Sequence, residues 1–266
     1  MRFKVQPEHF PSPDGGLVFM RTPWDSELFG FPFYELKCAE TGPDNLARHL
    51  PAWLASISSK DKCLVVAGLV PSEVEFSKIL AQHAFYPIET LIEIRLPLAR
   101  FEPLIEKRFA RLRMEPAVEN DLPEITAISG SAFAADRFHL DRNIPREKAD
   151  LRYANWIRNG FKSGDRIFVL KDERAKRAAG FVLARESKPG IYDMSLAALD
   201  RQYQRTGAGL FLYQAMLVES KKHGCKTAVA WISINNLNSL KAAERLGFVA
   251  HSAVTKFHWF HDAAPR

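Results

Sequence analysis

The chain has 266 residues and a net charge of +6, with 47% apolar and 26% charged residues. That length holds one large or two ordinary domains, and the composition is that of a soluble globular protein. No run of about 18 apolar residues occurs, so a transmembrane helix is excluded, and the positive charge favours an anionic partner such as a nucleotide or phosphate-bearing cofactor.

In chain order, the first legible unit is strand Leu64–Leu69, helix Val74–His83 and strand Thr90–Leu96. Phe101–Arg113 is charged and loosely patterned, which suits a connecting helix or linker and divides the chain into domains 1–108 and 109–266. Leu112–Pro116 reads as a short strand. Asn120, Pro123 and Glu124 supply the cap, early proline and acidic first turn that start a helix. Ile167–Leu170 and Ala179–Ala184 form a hairpin across the polar Lys171–Arg177 turn. Strand Tyr192–Leu199 follows, then helix Gly207–His223 stopped by Gly224, and buried strand Ala228–Ile234. Helix Ser239–Leu246, ended by Gly247, and strand Ala253–Phe260 close the chain. Cys63–Phe85 laid on Lys226–Phe248 repeats this ending without a gap, strand on strand and helix on helix, which reads as a degenerate half-repeat. The first half has no Gly-rich turn, so no second cofactor is expected there.

Cys38, Cys63 and Cys225 are scattered and odd in number, without metal-ligand spacing, and read as reduced structural thiols. Met1–Glu8 lacks the apolar core of a signal peptide, so a cytoplasmic location is expected. Basic residues lack a dense patch with interleaved aromatics, so neither nucleic acid nor membrane is an expected partner.

The segment that carries chemistry is Gln204-Arg205-Thr206-Gly207-Ala208-Gly209, between a strand and a helix. Glycines let the backbone approach an anion, N–H groups point outward, and the helix dipole favours negative charge. Its spacing, Q-x-x-G-x-G, is neither a P-loop nor a dinucleotide fingerprint. Alone it is also compatible with an ordinary tight turn. Downstream come Asn236-Leu237-Asn238-Ser239, a short helix, Leu246-Gly247-Phe248 and a closing strand.

In that order the segments resemble motifs A and B of the GCN5-related N-acetyltransferase (GNAT) superfamily, over about Leu112–Trp259. The resemblance implies an α/β (α+β) fold, with a mixed, mostly antiparallel sheet flanked by helices, and a truncated GNAT-like N-terminal half. It implies acetyl-CoA as cofactor and direct attack of an acceptor amine on its thioester. The strand end Ala197, Ala198 and Leu199 would pair with the pantetheine arm. Gln204, Arg205, Thr206, Gly207, Ala208, Gly209 and Leu210 would hold the pyrophosphate, and Asn236 and Ser239 would complete the cofactor site. Asn236 is otherwise a turn former or helix cap, and Asn238 is expected to cap the helix that follows.

A narrower resemblance joins Asp136–Asp141, Ile144-Pro145, Ala149–Trp156 and Trp24–Phe31 to dTDP-fucosamine acetyltransferase-like proteins. It implies an amino-sugar acceptor linked to a nucleotide, with Arg137, Phe138, His139 and Arg142 as substrate contacts. Asp193 and His139 are the candidate bases; the ordinary readings are a solvated strand-edge carboxylate for Asp193 and a packed loop residue for His139. Tyr153 and Trp156 are expected in the core.

Family members carry a tyrosine four residues before the Gly-Phe, where this chain has Ala243. The leaving thiolate could depart assisted by water or Asn236, or be protonated by Ser239 or Tyr203. Alternatively the domain is a non-catalytic acyl-CoA-binding or regulatory protein. An acceptor that is a peptide or another small-molecule amine is a further reading, and a monomer or a homodimer fits equally.

Overall fold

The computed structural model describes residues 6–12, 15–59, 62–104 and 109–262. Its strands are β1 (Glu8–Ser12), β2 (Gly15–Arg21), β3 (Phe33–Leu36), β4 (Cys63–Leu69), β5 (Tyr86–Pro97), β6 (Leu112–Pro116), β7 (Arg166–Asp172), β8 (Arg177–Lys188), β9 (Ile191–Leu199), β10 (Thr227–Ser233) and β11 (Val249–His261). The helices are α1 (Pro23–Phe29), α2 (Cys38–Thr41), α3 (Pro43–Ser58), α4 (Val74–Gln82), α5 (Leu122–Ala132), α6 (Arg137–Leu140), α7 (Arg146–Ser163), α8 (Ala208–Lys222) and α9 (Leu237–Arg245). Every element read from sequence is present, with ends shifted by a few residues. Part of the Phe101–Arg113 linker, residues 105–108, lies outside the described residues.

The described residues fall into two compact units that interleave along the chain, a grouping different from a division at residue 108. The first unit takes residues up to Leu91, then Arg137–Lys148 and those from Ala253 on. The second takes Ile92–Asp136 and Ala149–Ser252. The interleaving follows from strand pairing. β11, which closes the second half of the sequence, runs antiparallel to β4 in the first unit. β5, which closes the first half, ends in the second unit beside β10. Each half of the sequence thus lends its last strand to the other half's sheet.

In the first unit the strand order is β1-β2-β3-β4-β11-β5. The β3–β4 pair is parallel, and β1–β2, β2–β3 and β4–β11 are antiparallel. Helix α3 buries Leu46, Leu50, Trp53 and Leu54, a stripe of i, i+4, i+7 and i+8 positions that forms one helical face. That face packs with Leu17, Phe19, Val65, Ala67 and Phe257. Nothing in the local pattern announces α3, because Pro51 sits inside it and proline removes a helical hydrogen bond.

The second unit has the order β5-β10-β9-β8-β7-β6, with β9–β10 parallel and β8–β9, β7–β8 and β6–β7 antiparallel. Helices pack on both of its sheet faces. On one, Met216, Leu217, Ala243 and Leu246 of the α8–α9 side meet Ile94, Leu96, Tyr192, Met194, Ala230 and Ile232. On the other, Ile125, Ile128, Tyr153 and Ile157 of α5 and α7 meet Val169, Phe181, Leu183, Leu196 and Ala198. Tyr153 is core, as its sequence position indicates, stacked on Phe133 with ring centroids 4.2 Å apart. In the gapless sequence alignment Val74–Gln82 falls on Leu237–Arg245, so α4 and α9 coincide end for end.

The three cysteines are free and buried. Among the described residues no helix is long and apolar enough to cross a membrane.

The first unit buries a polar cluster. His258, with no exposed surface, lies with Nδ1 2.7 Å from Asp141 Oδ2, which also accepts from the Tyr86 hydroxyl at 2.8 Å. Asn143 donates its backbone N–H to Asp141 Oδ1 at 2.9 Å. Burial lowers the pKa of His258, and Arg137 and Lys256 push the same way against the pull of Asp141. Burial alone would raise Asp141, but the bonds from His258, Asn143 and Tyr86 outweigh it and hold the carboxyl below its usual range. The ionised Asp141 therefore accepts a hydrogen bond from the Nδ1–H of a neutral imidazole.

A lowered histidine pKa means that the unfolded chain binds the extra proton more readily, so this contribution to stability is complete above about pH 6.5 and fades as pH falls below it. Asp141 adds a second loss only below about pH 4. Urea titrations from pH 7.5 to 5 should show falling stability, and His258→Gln should flatten that slope while costing about 1–3 kcal/mol at pH 7.5. A slope unchanged by the substitution contradicts this account.

Candidate functional site

The site is built where β9 and β10 stop pairing. Their parallel ladder joins Ile191, Tyr192 and Asp193 to Thr227, Ala228 and Val229 and ends there, although both strands continue. Beyond it, the edge of β9 that faces β10 keeps its backbone groups without a ladder partner. Buried backbone N–H and C=O groups need partners, so such an edge is suited to an extended ligand that adds itself as a strand.

A β-bulge sets which side chains accompany that edge. Across β8–β9, Leu183 pairs with Leu196 but Ala184 pairs with Met194, so Ser195 is the extra residue. An inserted residue reverses the alternation of side chains along a strand. Tyr192 and Met194 face the α8–α9 core before the bulge. After it Leu196 and Ala198 join the opposite core, while Ala197 and Leu199 turn to the α8–α9 side.

The strand then delivers the glycine turn. Gln204 Nε2 donates to the Leu199 carbonyl at 3.0 Å, tying the turn to the strand end. Arg205 adopts φ +61° and Gly207 φ +90°. The positive φ at 207 suits glycine, whereas at Arg205 the same region carries a strain cost. Thr206 Oγ1 donates to the Tyr203 carbonyl at 2.7 Å and accepts from the Ala208 N–H at 3.3 Å. Helix α8, 15 residues long, begins at Ala208 with no side-chain cap from Gly207. Its first-turn amides and dipole are suited to an anion at the end of the open strand edge.

A cleft of about 470 Å³ joins these parts. Ala197, Ala198 and Leu199 line it from β9, and Gln204, Arg205, Gly207, Gly209 and Leu210 from the turn and helix start. Asn236 and Ser239 line it from the other side. Thr206 and Ala208 belong to the turn without lining the cleft. Asn236, not Asn238, is the cap of α9: its side-chain oxygen accepts from the Ser239 N–H at 3.2 Å, and Asn238 lies inside the helix. The capping bond uses only Asn236 Oδ1, so its Nδ2 can still serve a ligand.

Three lining residues escape a motif-based reading. Lys241 and Arg245, four apart on α9, face the cleft with Arg205 and give it three cations. Tyr213 lies half-buried next to Ser239; burial raises its pKa and the contact with Ser239 partly offsets this. A basic pair at i, i+4 after Asn236 is a signal present in the sequence, though a weak one.

Asp193 sits at the last rung of the ladder. Burial raises its pKa, Arg185 at 3.8 Å and Ser195 oppose the rise, and Glu93 adds to it. A partly buried carboxyl with raised proton affinity is a better base at neutral pH than a solvated one. Ala243 is 1% exposed and packed in the core. Tyr203 is buried too, and its hydroxyl donates to Asp172 Oδ2 at 2.9 Å. Burial alone would raise the pKa of Asp172, but the Arg174 and Ala175 amides, Tyr203 and Arg111 hold it down. Tyr203 therefore anchors the turn and does not line the cleft.

Arg137, Phe138, His139 and Arg142 belong to the first unit. Arg137 and His139 lie on α6, where Arg137 pairs with Glu89 at 3.5 Å and stacks over Phe138 at 4.5 Å. Phe138 is 1% exposed and stacks on Phe29, a core position. Arg142 is exposed.

Residues 133–248 match the profile of the Acetyltransferase (GNAT) family. No curated protein matches the sequence. Among solved structures, a GCN5-related N-acetyltransferase from Sphaerobacter thermophilus is similar at a TM-score of 0.67 and 12% identity, over 96% of this chain and 80% of that one. A tandem GNAT protein from the clavulanic acid biosynthesis pathway reaches 0.58 at 13% identity, over 94% and 80%. The glucosamine N-acetyltransferase region of a fungal multi-domain β-N-acetylglucosaminidase reaches 0.64 at 8% identity, over 91% and 31%. The fold is thus GNAT-like, a mixed and mostly antiparallel sheet flanked by helices.

Removing the Tyr203 hydroxyl separates anchoring from chemistry. Tyr203→Phe should lower stability by about 1–2 kcal/mol, read by thermal denaturation, because Asp172 loses a buried partner. Affinity of the cleft for a phosphate-bearing ligand should stay within about twofold; a selective loss of that affinity at unchanged stability would overturn the anchoring role.

Proposed function

We propose that this protein is an acetyl-CoA-dependent N-acetyltransferase acting on a primary amine. The observation that carries the reading is the coincidence, in one cleft, of an unpaired strand edge with a glycine turn at a helix start. The first suits an extended pantetheine arm with its amides, the second its pyrophosphate. Arg205, Lys241 and Arg245 supply charge for the remaining phosphate. Asn236 Nδ2 is available to a pantetheine carbonyl. The family match over residues 133–248 supports the same cofactor.

Acetyl-CoA supplies an activated acyl carbon and a thiolate leaving group with a solution pKa of roughly 8–9. The chain's own part is positioning and proton management. Asp193 accepts one proton from the acceptor's ammonium, freeing the nitrogen lone pair. That pair forms the C–N bond as the C–S pair leaves with sulfur, and the second nitrogen proton ends on sulfur. With alanine at 243 and Tyr203 bonded to Asp172, the last transfer runs through water or the Ser239 hydroxyl beside Asn236. The likeness of Asp136–Trp156 and Trp24–Phe31 to dTDP-fucosamine acetyltransferase-like proteins supports an amino sugar linked to a nucleotide as the acceptor, and the glucosamine N-acetyltransferase region supports an amino sugar generally. Reduced thiols and this cofactor fit a cytoplasmic enzyme.

The buried, hydroxyl-free position 243 favours a second reading, an acyl-CoA-binding protein without turnover. Free thiol release from acetyl-CoA across a panel of dTDP- and UDP-linked amino sugars, peptides and simple amines decides between them. Turnover with one amine class supports the enzyme; CoA binding without turnover on any amine supports the binder. In either case the Lys241→Ala, Arg245→Ala double variant should weaken CoA binding about tenfold at low salt, with a smaller difference at high salt. Equal CoA affinity of variant and parent would remove these residues from the site.

A further inference from the structure

The second unit presents an aromatic ring on the sheet face away from the cleft helices. Along β10, Ala228, Ala230 and Ile232 enter the α8–α9 core, so Trp231 points to the other face, where it is 42% exposed. Its indole is thus open to solvent on that face, where a ligand could reach it.

Its neighbours on that face are charged. On β9, Tyr192 and Met194 belong to the α8–α9 core, which places Asp193 on the Trp231 face. Asp193 is the register partner of Val229, two residues from Trp231 on the same side of β10. On β5, adjacent to β10, Ile94 and Leu96 enter the same core, which turns Glu93 to the face of Trp231 and Asp193. Glu93 is 8% exposed and is held by Arg95 Nε at 2.9 Å and by the Ser252 hydroxyl at 2.7 Å. Arg185 of β8 and Ser195 of β9 complete the groups that act on Asp193, and His251 acts on Glu93. The β9–β10 ladder stops at Asp193 and Val229, so just beyond them these two strands share no ladder pairing.

We propose that Trp231, with the carboxylates of Asp193 and Glu93, is the seat for the acceptor's ammonium group, and that the protein thereby selects cationic primary amines. The inference rests on the acetyltransferase reading and deepens it. An ammonium is attracted to the π-face of tryptophan and to carboxylates. Glu93 acts as a positioning residue. Its negative charge favours the cation and keeps the proton affinity of Asp193 high, whereas its own charge is fixed by Arg95 and Ser252.

Steady-state kinetics on the full chain, with each acceptor amine turned over by the parent, tests the seat. Trp231→Ala should raise the acceptor KM about tenfold with kcat within about threefold, and Trp231→Phe should restore most of the loss. Glu93→Gln should shift the acidic limb of the kcat/KM profile to lower pH, because Asp193 loses a neighbouring negative charge. CoA affinity should be the same in all three variants. Unchanged acceptor KM in Trp231→Ala, or an unmoved acidic limb in Glu93→Gln, overturns the proposal. If the parent acetylates no amine, the acetyltransferase reading fails, and the seat is judged by tryptophan fluorescence with n-hexylammonium. Quenching in the parent that is lost in Trp231→Ala supports it; quenching equal in both, or absent, overturns it.

Discussion

The β9–β10 ladder ends after three residue pairs, and the chemistry proposed for the second unit depends on that early stop. Two parallel strands that continue past their last shared hydrogen bond leave a strand edge in need of partners. The Ser195 bulge acts at the same place. By reversing the side-chain alternation it sends Ala197 and Leu199 to the cleft and keeps Leu196 and Ala198 in the opposite core. Without the extra residue, Leu196 and Ala198 would take the cleft side in place of Ala197 and Leu199.

Charge follows this geometry. The cleft side gathers Arg205, Lys241 and Arg245 around uncapped helix amides, which suits phosphates. The other face presents Asp193 and Glu93 beside an exposed indole, which suits a cation. A reaction between an anionic acyl carrier and a cationic amine needs such a separation, because each partner would be repelled by the charges that attract the other. In the proposed reaction Asp193, at the last rung of the ladder, belongs to both the sheet's framework and its proton chemistry.

Local pattern carried much of this. β9 and β10 were legible as strands, and Gly224 and Gly247, both with positive φ, marked helix ends because glycine adopts that backbone without strain. The Q-x-x-G-x-G spacing marked the turn that lines the cleft at the start of α8. Long-range pairing was not legible. No local signal tells β11 to pair with β4, or β5 to finish beside β10, so the interleaving of the units could not be read along the chain. The Ser195 bulge was hidden for a similar reason, since an extra residue is defined only against a partner strand. Tyr203 looked like a spare hydroxyl near the turn until its bond to Asp172 was visible, and Asn236 took the capping role expected of Asn238. Trp231 read as one more apolar residue of a buried strand, because sequence does not reveal which face of that strand stays uncovered.

Amide hydrogen exchange of the full chain with and without CoA tests the central claim most directly. The account predicts slowed exchange at Ala197, Ala198 and Leu199, where backbone groups gain a partner, and at the turn amides of Gly207, Ala208, Gly209 and Leu210. Protection confined to other segments, or none at saturating CoA, would contradict it.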